Sequence, residues 1–173
     1  MRSGRRGGMM AKVILVSGPL GCGKSTTAKA LADVLNNVCL IEGDIIHNFI
    51  INNPLEMYEG FAFAWDGIFA VAKAALKRGV DVVIDYVVED EYDAIKEEFA
   101  GYPVRLCQLT APDEVILNRL TKRGDPESLE RSLFLKNKIA SFEHFRKHIF
   151  DNGESDAHNT AKIILADERF VIK

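Results

Sequence analysis

Short β-rich runs alternate with longer helical stretches, a glycine-rich segment sits between the first run and the first helix, and apolar residues make up 47 % of the chain. Together these predict an α/β fold: a three-layer α/β/α arrangement around a five-stranded parallel sheet. Strands buried on both faces read as continuous apolar runs, and the candidates are residues 12–17, 38–42, 80–86, 104–109 and a weaker 148–151. Apolar residues at helical spacing place helices over 24–35, 44–52, 61–78, 89–100, 112–122, 127–147 and 156–166. Pro112 with Asp113 and Glu114 suits a helix start, where proline sacrifices no hydrogen bond and carboxylates meet the positive end of the dipole. Arg78-Gly79 suits the close of the third helix.

The 173 residues have the length of one domain, read here as residues 11–173. Met1 to Met10 are basic, rich in glycine and without an apolar h-region, so they are no secretory signal but a disordered leader or a cloning remnant. The chain carries −3, and three of its cations (Arg2, Arg5 and Arg6) belong to that leader, so the remainder carries −6. An acidic domain disfavours a general nucleic-acid surface. No apolar run approaches the ~18 residues of a membrane span, so no membrane partner is expected. Cys22, Cys39 and Cys107 are odd in number and lack C-x-x-C pairing, which argues against a disulfide framework or zinc site and for a reducing cytoplasm. Cys39 and Cys107 read as small core residues. Cys22 precedes a helix N-terminus, where a thiolate would be stabilised and alkylation would block a bound ligand.

Gly18-Pro19-Leu20-Gly21-Cys22-Gly23-Lys24-Ser25-Thr26 satisfies the pattern G-x-x-x-x-G-K-[ST], with the apolar run Val13-Ile14-Leu15-Val16 before it and a helical pattern after it. A loop in that context aims backbone N–H groups and a helix N-terminus at one point, which suits polyphosphate. Gly18, Gly21, Cys22, Gly23, Lys24, Ser25 and Thr26 are thus candidates to hold ATP, with Lys24 reaching the β- and γ-phosphates and the Ser25 hydroxyl ligating Mg²⁺. Ligands of open parallel sheets bind beyond the carboxyl ends of the strands. There Asp85 ends the third strand, where a carboxylate would hold Mg²⁺ opposite Ser25, unless it is only a turn residue. Asp44 follows the second strand as a candidate to accept or orient the proton of an attacking hydroxyl, or as a helix N-cap, and His47 shares its helix face as a candidate substrate contact or a structural filler.

Arg119-Leu120-Thr121-Lys122-Arg123-Gly124-Asp125-Pro126 gathers cations at a helix end and then breaks the helix. Such a segment suits a helical lid, with Arg119 and Arg123, and secondarily Arg131, meeting charge on the transferred phosphoryl group and excluding water. With this lid the predicted fold is a P-loop NTPase. Asp151-Asn152-Gly153 reads as a plain turn or as the border of an adenine site. Aromatics between Pro54 and Trp65 (Tyr58, Phe61, Phe63 and Trp65) read as a core stripe or as the wall of a substrate pocket.

The arrangement resembles the small P-loop kinases of the nucleoside-monophosphate-kinase-like fold, particularly the gluconate, shikimate and chloramphenicol phosphotransferase group. Gly43-Asp44-Ile45-Ile46-His47 is similar to the Gly-Asp-x-x-His of gluconate kinases. The resemblance implies acceptor contact for Asp44 and phosphate contacts for Arg119 and Arg123. Departures are Ile45 where gluconate kinases carry a second aspartate, Lys122-Arg123-Gly124-Asp125 where they carry Arg-Lys-Gly-His, and Asp85-Tyr86-Val87 where shikimate kinases carry three glycines. The implied activity is ATP- and Mg²⁺-dependent transfer to a small-molecule hydroxyl, of a gluconate-like sugar acid or a related metabolite or antibiotic, by a monomer or homodimer. The alternatives are a nucleoside or nucleotide kinase and a regulatory ATPase that transfers nothing.

Overall fold

A computed structural model describes residues 10–51 and 55–172. Its five strands are β1 (Val13–Ser17), β2 (Val38–Glu42), β3 (Asp81–Asp85), β4 (Val104–Thr110) and β5 (Ile149–Asp151). They form one parallel sheet in the order β2-β3-β1-β4-β5, so the chain reverses its direction of winding between β3 and β4, on either side of the central β1. The helices are α1 (Lys24–Val34), α2 (Gly43–His47), α3 (Met57–Leu76), α4 (Tyr92–Glu98), α5 (Asp113–Lys122), α6 (Leu129–Ser141) and α7 (Ala157–Ala166).

Alternate residues of each strand face opposite layers, which divides the core in two. Val13, Leu15, Val82, Ile84 and Leu106 pack with Trp65, Ile68 and Leu76 of α3 and Ile95 of α4. Ile14, Val16, Val83, Cys107 and Leu109 pack with Ala28 and Leu31 of α1 and Ala161 and Ile164 of α7. The α/β/α sandwich expected from sequence is therefore present. A third, small cluster of Ile116, Leu120 and Ala111, with Leu20 and Leu129 against it, joins α5 and the start of α6 to the loop after β1.

Four helices differ from their predicted spans, and the third, expected over 61–78, runs over Met57–Leu76 and so begins one turn earlier. The helix expected over 89–100 starts only at Tyr92, because the Glu91 carboxylate accepts the backbone N–H groups of Glu89 (2.8 Å) and Asp90 (3.1 Å) and closes a turn there. The helix expected over 127–147 ends at Ser141, where Phe142 leaves in extended backbone and a 3₁₀ segment, Glu143–His148, turns Phe145 and His148 into the core. The second helix stops at His47; its predicted end at Asn52 lies outside the described residues, as do Pro54 and most of the leader.

Candidate active site

The loop from Gly18 to Gly23 leaves β1 at the carboxyl edge of the sheet. Gly18 has φ of +130°, and a Cβ there would stand 2.1 Å from the Leu109 carbonyl oxygen, so only glycine lets the loop pass β4. Helix α1 opens at Lys24 with no acidic residue in its first turn, which leaves its free N–H groups and positive dipole end available to an anion. The Lys24 ammonium donates to the carbonyls of Gly18 and Pro19, each at 3.0 Å, and so lies across the mouth of the loop. Ser25 and Thr26 are exposed beside it.

Register brings the polar strand ends together. Asp85 pairs with Val16 across β1 and with Glu42 across β2, which places Asp85 next to the root of the loop and one residue from α2. Burial pushes the Asp85 carboxyl above the ordinary aspartate range, opposed by a Ser25 hydroxyl contact and the Lys24 charge. Oxygen donors from Ser25 and Asp85 fit a hard cation such as Mg²⁺, which takes one or two protein ligands and completes its shell with phosphate and water. Among the described residues no group of three or more His, Cys, Asp or Glu side chains could hold a metal ion unaided.

Two hollows flank the loop. On one side a cavity of about 380 Å³ is lined by Gly21, Gly23, Thr26, Arg119, Arg123 and Asn152. Arg119 spans its wall, donating to the carbonyls of Asn152 (3.0 Å) and Gly153 (3.1 Å) and, at longer range, of Cys22 (3.3 Å) and Gly21 (3.4 Å). On the other side a cavity of about 230 Å³ is lined by Lys24, Asp44, Phe61, Tyr86, Glu89 and Arg131. It shares Phe61, Val87, Glu89 and Arg131 with a cleft of about 480 Å³ walled by Tyr58, Trp65, Phe69 and Phe134.

The expected side chains fall on different flanks of the loop. Arg119 and Arg123 belong to the first cavity, whereas Arg131, the lesser candidate, is the arginine that lines a cavity with Lys24 and Asp44. The reason is geometric: the two arginines leave α5 near Asn152, and α6 crosses the other flank. His47 lines neither the cavity beside Lys24 nor the aromatic-walled cleft. Its Nδ1 is 2.9 Å from the Tyr86 hydroxyl and its ring meets Phe61 edge-on at 5.3 Å, so it holds the wall from behind. Cys22 is fully buried, and desolvation raises its thiol despite nearby Lys24, so the expected thiolate is replaced by an inert core side chain. Cys107 is buried as expected, and Cys39 only partly so.

A family profile described as "AAA domain" matches residues 13–143. The chain belongs to this AAA domain family. A cytidylate kinase from Methanosphaera stadtmanae is 30% identical over 116 residues, which are 65% of this chain and 64% of that protein's length. The fold of this AAA domain recurs in the tunicamycin resistance protein of Deinococcus radiodurans (TM-score 0.67, 20% identity, 90% of this chain and 94% of that one). It recurs also in a sugar kinase from Janibacter sp. HTCC2649 (0.66, 22%, 93% and 97%) and a gluconokinase from Sinorhizobium meliloti 1021 (0.63, 19%, 91% and 92%). The AAA domain thus has a P-loop kinase-like fold, as its sequence resemblance implied.

Sequence reading undervalued three parts of this site. Asn152, read as part of a turn or of the border of an adenine site, is buried and donates to the Cys22 carbonyl at 2.9 Å while accepting from the Thr160 hydroxyl at 2.8 Å, which ties the phosphate loop to α7. Ser132 donates to the Leu20 carbonyl at 2.7 Å and ties α6 to the same loop. The third part is the acidic run Glu89-Asp90-Glu91 facing Arg131 and Lys138. Its signal was available, since the run follows the end of β3 after three intervening residues and the two cations are seven residues apart on one helix face.

Proposed function

We propose that this protein is an ATP- and Mg²⁺-dependent phosphotransferase acting on the hydroxyl of a small molecule. The observation that carries the reading is that Lys24 and Asp44 line one cavity, which opens into an aromatic-walled cleft on the far side of the phosphate loop from the Arg119 cavity. Two hollows meeting at one phosphate loop suit a donor and an acceptor. ATP would lie with its base end towards Asn152 and Arg119 and its phosphates on the α1 N-terminus. Mg²⁺, when bound between Ser25 and Asp85, would offset phosphate charge. Asp44 would orient the acceptor hydroxyl and take its proton, and Lys24 would leave the loop carbonyls to meet the phosphates. Catalysis of this kind rests on positioning and electrostatics.

A second reading, transfer to a nucleoside monophosphate, is favoured by the 30% identity to a cytidylate kinase. Coupled measurement of ADP release over sugar acids, sugars, nucleosides and nucleoside monophosphates tests both. Lys24→Ala should lower kcat/KM for the best acceptor by about a hundredfold or more, the scale of losing one transition-state donor. Full transfer by that variant would remove the reading.

A further inference from the structure

The charges of the acceptor cleft are already spoken for. Apart from Lys24 at the phosphate loop, its cations are Arg131 and Lys138, and both bind the same carboxylate: Arg131 Nη2 is 2.9 Å from Glu89 Oε1 and Lys138 Nζ is 3.0 Å from Glu89 Oε2. Lys138 also pairs with Asp90 at 3.0 Å, and the Arg131 guanidinium lies over the Phe134 ring at 5.4 Å. Hydrogen bonds to Asp90 and Glu89 raise the Lys138 ammonium above the ordinary lysine range although burial opposes its charge. By contrast, Asp44 and Asp66 line the cleft with no cation partner among the described residues. Among the described residues Glu91 is engaged only by backbone N–H groups, so the cleft they form has a surplus of negative charge.

An entering phosphate or carboxylate would meet that surplus, or would have to displace Glu89 from both cations. Either cost is paid in a partly desolvated cleft, where like charges repel more strongly than in water. Aromatic faces with free carboxylates instead suit a flat apolar group and tolerate or attract a cation. Met57 and Tyr58 extend the apolar wall at the rim although both are largely exposed.

Resting on the phosphotransferase reading above, we propose that the acceptor is an uncharged or amine-bearing alcohol with a flat, apolar ring, and that the Glu89 clamp on Arg131 and Lys138 excludes anionic acceptors. Gluconate-like sugar acids and nucleoside monophosphates are then poor substrates of this site.

Trp65, the only tryptophan of the chain, lines the cleft and reports on binding without turnover. The full-length protein, held with a non-hydrolysable ATP analogue and Mg²⁺, is titrated with matched pairs: cytidine against cytidine monophosphate, and an aromatic amino alcohol against the aromatic hydroxy acid of the same skeleton. Gluconate is titrated alone. The expected result is tryptophan fluorescence quenching at roughly tenfold or more lower concentration for the uncharged or cationic member of each pair, about 1.4 kcal/mol. Glu89→Gln frees both cations and should shift each ratio towards the anion by about tenfold, with ATP affinity measured separately by calorimetry. Preference for the anionic members, or ratios unmoved by Glu89→Gln in a variant that still binds ATP, would overturn the proposal, as would quenching by none of the compounds. Selective quenching without ADP release in a parallel ATP assay would sustain the charge preference and count against phosphate transfer itself.

Discussion

At the scale of single residues, the site depends on small side chains that let larger ones approach. Gly43 opens α2 directly after β2, and a Cβ there would stand 2.4 Å from the Tyr86 ring. Tyr86 is 3% exposed, lines the cavity with Lys24 and Asp44, and is braced by His47 from behind and by Trp65 at 5.6 Å edge-on. Burial, with the Asp44 charge next, holds its phenol well above the ordinary tyrosine range, so it stays a neutral hydrogen-bonding wall. Gly43→Ala therefore has to push a ring that is held from two sides. The expected cost is about 1–3 kcal/mol of stability, typical of overpacking. A thermal melt should show the loss, and acceptor KM should rise while ATP affinity is kept, because the Arg119 cavity lies on the other flank. Loss of ATP affinity with acceptor KM intact would contradict this placement of Gly43 and Tyr86.

At the scale of elements, the α5–α6 hairpin gives the clearest case of a turn set by chemistry. The N–H of Gly124 donates to the Thr121 carbonyl and that of Asp125 to the Leu120 carbonyl, each at 3.0 Å, which is the paired hydrogen bonding of a Schellman close. Gly124 has φ of +75°, and among the described residues nothing stands within 4 Å of the place a Cβ would take, so Gly124→Ala meets backbone strain and no steric clash. Its expected cost is about 1–2 kcal/mol, and calorimetry should find the melting temperature lowered by roughly 2–8 °C. Because Lys122 and Arg123 line the cavity proposed to hold ATP, KM for ATP should rise with it; a melting temperature unchanged within a degree would refute the strained turn. This break in the helix was legible in sequence, as were all five strands, the phosphate loop and the gathering of Asp44 and Asp85 at one edge. Those features follow from local patterns: apolar runs, glycine and proline at fixed offsets, and polar residues at strand ends. The division of the arginines between two flanks was not legible, because helical periodicity does not say on which side of the loop α5 and α6 cross. Nor was the part of Asn152, whose partners Cys22 and Thr160 come from the other end of the chain and from α7.

For the molecule as a whole, one buried base sets how stability responds to acid. His148 is fully buried where the 3₁₀ segment meets β5, and among the described residues its ring nitrogens make no well-aligned hydrogen bond, with only the backbone of Leu106 and Arg169 close enough to favour a proton weakly. Burial first, then the charges of Lys147 and His144, lowers its pKa from 6.5 to about 4. The native state therefore refuses a proton that the unfolded chain accepts in this interval. By linkage, this contribution is fully present above pH 6.5, declines as acid favours the unfolded chain, and is lost as pH falls through about 4. Its size is on the order of a few kcal/mol, a sizeable part of the stability of an ordinary domain. Asp85 and Glu91 act with the opposite sign, since burial raises both carboxyls and ionising them in the native state erodes stability as pH rises from the ordinary carboxylate range. Between pH 4 and pH 6.5 His148 adds a rising component to the melting temperature, against which the two carboxylates act. His148→Phe removes the titrating group and should flatten that rise, whatever it does to the absolute melting temperature. Equal slopes for the two proteins would show that the acid sensitivity lies elsewhere than in this packed corner of the sheet.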